Sequence, residues 1–184
     1  MNILHIDSSI NGDSSVSRVV SQSVVDRIKE LHPDSQVVRR DLGRDPLAHF
    51  TLEAFGDTKV IDEFLASDII VLGAPMYNFG VPSQLKAWLD RIAIAGKTFR
   101  YTENGPVGLA GGRKLIVASS RGGFYGPDTP IASLDHQESY LRAFFHFLGV
   151  TDIHFIHTEG VAMGPDARQL AIEAALGQVQ KLAA

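Results

Sequence analysis

Short apolar runs alternate with longer stretches of helical period along this 184-residue chain, and that alternation constrains the fold more than any other feature. Ile3–Asp7, Gln36–Asp41, Asp68–Gly73, Lys114–Ser119 and Ile153–His157 read as strands. Between the first two, Val16, Val20, Val24, Ile28 and Leu31 recur on one face of a helix that Pro33 stops. A second helix covers Asp57–Ala66, with Val60, Ile61, Phe64 and Leu65 inward. A third opens at Pro82, where a missing N–H is tolerated, and buries Leu85, Trp88 or Leu89, and Ile92. Asp135 caps a fourth, with Glu138 three residues on and Tyr140, Leu141, Phe144, Phe145 and Leu148 following. Pro165 opens the last, with Ile172, Ala175, Leu176, Val179 and Leu182 to one side. The third strand is apolar on both faces and belongs at the centre of a parallel sheet; the more polar second suits an edge. Right-handed crossovers then put helices on both faces. The expectation is an α/β three-layer sandwich with a five-stranded parallel sheet in the order 2-1-3-4-5, one domain over residues 1–184. The Gly-rich residues 93–112 are read as an excursion folded into a small hairpin.

Composition narrows the chemistry. The chain has no cysteine, which excludes disulfides, thiolate metal sites and a cysteine nucleophile. A net charge of −4 with no dense Lys/Arg run argues against a nucleic-acid binder. No stretch approaches the roughly 18 apolar residues of a membrane helix, and Met1–Asp7 lacks the basic start of a signal peptide. The expected location is the cytoplasm. Seven histidines invite a metal reading, but none pairs at i, i+4 on a helix with a third ligand in view. His5 and Asp7 share a strand face, and His154 and His157 lie on opposite faces, so no metal is expected. A Gly-x-Ser-x-Gly nucleophile elbow is absent, which leaves a hydrolase little support.

In a doubly wound sheet ligands bind beyond the carboxyl ends of the strands, where the strand order reverses. Three loops should meet there. The first, Ser8–Ser17, is serine-rich and opens directly onto a helix. Backbone N–H groups of Ser15, Val16 and Ser17, with the hydroxyls of Ser9, Ser15 and Ser17, suit a phosphate dianion. Ordinary capping explains the same serines equally well. The second loop spells Met76-Tyr77-Asn78-Phe79, bulk where a turn asks for small residues: an apolar shelf with an amide for a heterocycle edge. The third is Ser120-Arg121-Gly122-Gly123, whose glycines allow close backbone approach and whose arginine offers fixed donors. Each signal is weak alone. Together they describe one phosphate and one flat ring, a flavin mononucleotide.

"DSSINGDSSVS", "APMYNFGVPSQLKAWLD", "AGKTFRYTENGPVGLAGGRKLIVASSRGG" and "GVTDIHFIHTEG" resemble the FMN-dependent NADH-azoreductase family, quinone and azo-compound reductases of flavodoxin-like fold. The resemblance implies FMN contacts at Ser9, Ser15, Val16 and Ser17, at Met76 to Phe79, and at Ser120 to Gly123. It implies a substrate pocket lined by Tyr101 and Phe147, homodimers whose subunits complete each other's pocket, and NADH as electron donor. Quinones and azo compounds are the implied acceptors. One segment departs from the family: residues 42–67 are shorter than usual, which bears on acceptor preference.

The expected cycle is ping-pong: NADH passes hydride to flavin N5 and leaves, and a quinone or azo acceptor then takes the electrons on the same face. Gly108, Gly111 and Gly112 precede a strand instead of opening a helix, so they form no second nucleotide fingerprint. No side chain is assigned as general acid or base. The rival reading is a flavodoxin-type electron carrier. Its compact phosphate loop differs from the long first loop here, and it has no use for the 93–112 excursion.

Overall fold

A computed structural model describes residues 1–182. Five parallel strands form the main sheet: β1 (Asn2–Asp7), β2 (Gln36–Asp41), β3 (Ile69–Pro75), β6 (Lys114–Ser120) and β7 (Asp152–Thr158). Their order is β2-β1-β3-β6-β7, the 2-1-3-4-5 arrangement expected once the hairpin strands are set aside. Val71 shows why β3 sits centrally. It packs with the cluster on one sheet face, while its neighbours Ile70 and Leu72 pack on the other.

Helices α1 (Val16–Leu31) and α5 (Pro165–Val179) cover the first face through Val20, Val24, Ile28, Ala175 and Val179. Helices α2 (Lys59–Ala66), α3 (Ser83–Ile92) and α4 (His136–Phe147) cover the second through Phe64, Trp88, Leu89, Leu141 and Phe145. Two helix starts fall later than expected. Helix α2 begins at Lys59 instead of Asp57, because Asp57 turns back to accept the Lys59 N–H. Pro82 is the N-cap of α3 with an extended ψ of 145°, not its first helical residue.

The excursion is the expected hairpin, β4 (Phe99–Thr102) against β5 (Gly105–Gly108). It is anchored where two backbones touch. A Cβ on Gly108 would fall 2.2 Å from the Gly149 nitrogen, and the Ala110 N–H donates to the Leu148 carbonyl at 2.8 Å. Gly149 itself has φ +92°, the left-handed turn that ends α4. No helix among the described residues is long and apolar enough to cross a membrane.

Candidate functional site

Strands β1, β3 and β6 are hydrogen-bonded neighbours, with Asp7 beside Gly73 and Pro75 beside Ser120. Their three following loops therefore emerge side by side. The first ends in a helix cap: Ser15 Oγ accepts the Arg18 N–H at 3.3 Å and lies 3.2 Å from Ser17 Oγ. The Ser15 N–H is spent on the Gly12 carbonyl. Those of Val16 and Ser17 have no hydrogen-bond partner among the described residues, and they stand at the positive end of a 16-residue helix. Ser9, Ser15 and Ser17 are all buried. Free amides, buried hydroxyls and a helix N-terminus together make an anion cradle.

Beneath the cradle lies a charge network the sequence reading missed. Arg18, in the first turn of α1, donates to both oxygens of Asp41 at 2.5 and 2.9 Å, to Asp7 at 3.4 Å and to the Ser9 carbonyl at 3.4 Å. Asp7 also takes bonds from Ser21 Oγ and Arg39, and His5 Nε2 lies 3.5 Å away. Burial pushes the Asp7 carboxyl up, but these partners overcome it and leave it below the usual carboxylate range. Asp41 is likewise raised by burial, and then carried below its ordinary value by Arg18 and the Arg44 amide. A signal was present: Asp7 and Asp41 each close an expected strand, and the two residues pair in register.

The second loop is a tight turn in which Tyr77 N–H and Gly80 N–H exchange bonds with each other's carbonyls at 3.1 and 3.0 Å. Its central residues, Asn78 (φ 46°) and Phe79 (φ 70°), are both left-handed. Asparagine tolerates that region; phenylalanine there costs about 1–2 kcal/mol. The turn is held from outside. The His136 N–H donates to the Phe79 carbonyl at 3.1 Å, and the Tyr125 ring meets Phe79 edge-on at 6.3 Å. Tyr77 does not lie over the next helix. Its hydroxyl reaches the Ile10 N–H (3.2 Å) and Ser9 Oγ (3.3 Å), tying this loop to the first. An open cleft of about 1020 Å³ runs from Ile10 along Met76, Tyr77 and Asn78 to His136 and Tyr140.

The third loop abuts the second through the Met76 N–H, which donates to the Ser120 carbonyl at 2.8 Å. Here one expectation changes. The Arg121 side chain is not free to offer donors to a ligand: it is 2% exposed and enclosed by Asp135 (2.8 Å), Glu138 (3.3 Å) and Glu159 (3.2 Å). Its main-chain N–H is also taken, by the Thr158 carbonyl. Arg121 holds the loop in place. Glu138 further bonds His157 at 2.7 Å and Arg142. Burial raises its pKa, but these partners outweigh burial and bring it down to about 2. The capping pair of the sequence is thus half realised: Asp135 accepts the Gln137 and Glu138 N–H groups, while the Glu138 carboxylate serves Arg121. Gly122 and Gly123 are tied to the loop after β7 through their carbonyls, which accept from Ala162 and Gly160. Their N–H groups have no partner among the described residues.

Tyr101 and Phe147 are brought together but not into this cleft. Both rings pack on Phe99, at 5.5 and 4.6 Å, and Tyr101 stands 73% exposed on the hairpin. Neither lines the cleft at Met76–Asn78. Among the described residues no group of three or more His, Cys, Asp or Glu could hold a metal.

The comparisons agree with this geometry. The family described as having a flavodoxin-like fold matches residues 1–183. The FMN-dependent NADH:quinone oxidoreductase 2 of Bradyrhizobium diazoefficiens is 49% identical over 201 positions, covering 100% of both chains. The FMN-dependent NADH:quinone oxidoreductase of Azospirillum brasilense is 50% identical over 203 positions, covering 100% of this chain and 98% of its own. Among solved structures, an FMN-dependent NADH-azoreductase from Bacillus anthracis in complex with FMN superposes with a TM-score of 0.86 at 28% identity, covering 98% of this chain and 96% of that one. A second azoreductase structure from the same species gives a TM-score of 0.88, also at 28% identity, over 98% and 97% of the two chains.

Proposed function

Because the chain belongs to the flavodoxin-like fold family and, within it, to the FMN-dependent NADH:quinone oxidoreductases, we propose that it is an FMN-dependent reductase of quinones that also cleaves azo compounds, with NADH as electron donor. The observation that carries this reading is the anion cradle: unpartnered Val16 and Ser17 amides beside three buried serine hydroxyls, one loop away from an aromatic-lined cleft. The residues fit the group. Ser9, Ser15, Val16 and Ser17 hold the phosphate. Met76 to Phe79 bear the ring edge, with Asn78 and the turn's backbone offering polar partners. Ser120, Gly122 and Gly123 border the ring's other side, and Arg121 fixes that loop. FMN held by these residues would supply the two-electron chemistry that links NADH to the acceptor.

Tyr101 and Phe147 serve the pocket of a second copy. Exposed Tyr101 and half-buried Phe147 meet around Phe99 and do not line the cleft of their own chain, which supports a homodimer with one flavin-binding domain per chain; the expected location is the cytoplasm. An electron carrier would need neither this aromatic cluster nor a cleft this large.

The test is an absorbance spectrum of the purified protein, followed by NADH without oxygen. Flavin bands that bleach at once, and return when a quinone is added, support the reductase. Bands that persist favour the carrier, and a colourless protein that takes up no FMN overturns both.

A further inference from the structure

Two buried arginines are clamped by carboxylates, Arg121 under the third loop and Arg18 under the first, and the proposed function gives the second no task. Arg18 is 8% exposed, and its terminal nitrogens are committed to Asp41, Asp7 and the Ser9 carbonyl. With two carboxylates already against it, this guanidinium has little charge left for an incoming anion. What it does hold is main chain. The Ser9 carbonyl receives one arm of the fork and also abuts Gly43, where a Cβ would lie 2.2 Å from that oxygen. Gly43 is in turn set by its own N–H bond to Asp41 Oδ1 at 3.2 Å. Ser9 Oγ, thus placed, accepts the Asn11 N–H and meets the Tyr77 hydroxyl.

From this we infer that Arg18 is a positioning residue for the phosphate cradle: clamped by Asp7 and Asp41, it fixes the Ser9 main chain against Gly43 and so sets the geometry in which the loop meets a phosphate monoester. The inference rests on the flavin reading above. A planar fork serving three acceptors is a task lysine cannot take over, although lysine keeps the charge. That separates positioning from simple attraction of an anion.

The experiment compares the dissociation constants of FMN and riboflavin, by quenching of flavin fluorescence, for the full chain stripped of flavin and for its Arg18→Lys and Gly43→Ala variants. Riboflavin shares the ring and lacks the phosphate. Each variant disturbs the Ser9 carbonyl through a different contact, so each weakens FMN by about tenfold or more, the effect of a charge-assisted hydrogen bond. Riboflavin affinity stays within about threefold of the unaltered chain. Gly43→Ala leaves every charge of the network in place, so it tests the Ser9 geometry apart from Arg18→Lys, and a thermal melt of each variant checks that it folds. Arg18→Lys binding FMN as the unaltered chain does, or FMN and riboflavin weakening in parallel, would overturn the inference. An unaltered chain that binds no FMN would overturn the flavin reading first and this inference with it.

Discussion

The loop after β1 and the turn after β3 are neighbours on one sheet edge, joined by the Tyr77 hydroxyl, and they are held by opposite means. The first sits on a helix N-terminus and on a buried lattice of Asp7, Arg18 and Asp41. Its side chains fix its backbone, and its dihedrals are ordinary from Ser15 onward. The second carries two left-handed residues, one of them phenylalanine, and is kept in place by a carbonyl bond to His136 and one ring contact. Local chemistry favours the first conformation and opposes the second. Backbone strain that persists in this way marks a segment shaped for what it must touch.

The contrast can be broken hardest at the cradle. Ser17→Asp puts a carboxylate at the second position of α1, where the helix dipole favours a negative charge. Ser17 is buried, so desolvation of the new carboxylate offsets that gain in the flavin-free chain, while its side chain occupies the anion site and FMN affinity falls by about a hundredfold or more. Fluorescence titration with a parallel thermal melt checks both halves of that statement.

The third loop offers a pH test of intermediate size. The Glu138 carboxyl titrates at about 2 in the folded chain against an ordinary 4.5, so the stability it contributes is fully present above about pH 4.5 and is lost as pH falls toward 2. Glu138→Gln costs about 1–3 kcal/mol at neutral pH, because it leaves Arg121 and Arg142 short of an acceptor. It also flattens that acid limb. Denaturant melts of both proteins across this range measure the difference.

The smallest effect belongs to the strained turn. Phe79→Gly relieves about 1–2 kcal/mol of left-handed strain and gives back about 0.5–1 kcal/mol in glycine entropy. It also loses a half-exposed ring contact with Tyr125. Stability shifts by less than about 1 kcal/mol in either direction, while KM for the acceptor rises. A large loss of stability would mean that Phe79 is there for the fold.

The same contrast explains what could be read from the sequence. Strand order, the two helical layers and the hairpin follow from periodicity and from Gly and Pro placement, which are local properties. The serines at the start of α1 were legible for the same reason. What escaped were relations between distant residues. Arg121 looks like a ligand donor until Asp135, Glu138 and Glu159 are folded around it. Tyr77 looks like part of an apolar shelf until its hydroxyl finds Ile10. Arg18 is one more residue of an amphipathic helix until β2 brings Asp41 to it. Asn78 and Phe79 were conspicuous by type, but their positive φ depends on the Tyr77–Gly80 closure, which composition does not show.

Strand β2 gives the network a further consequence. It is the exposed edge of the sheet, with Val37 and Val38 open to solvent, and it supplies Asp41. Native proteins open locally at free energies below that of global unfolding. Each opening of β2 withdraws Asp41 from Arg18 and loosens the Ser9 loop, so cofactor retention and the lifetime of this edge are one thermodynamic quantity seen from two sides. A chain with its flavin in place therefore holds β2 more firmly on the sheet than one that has lost it.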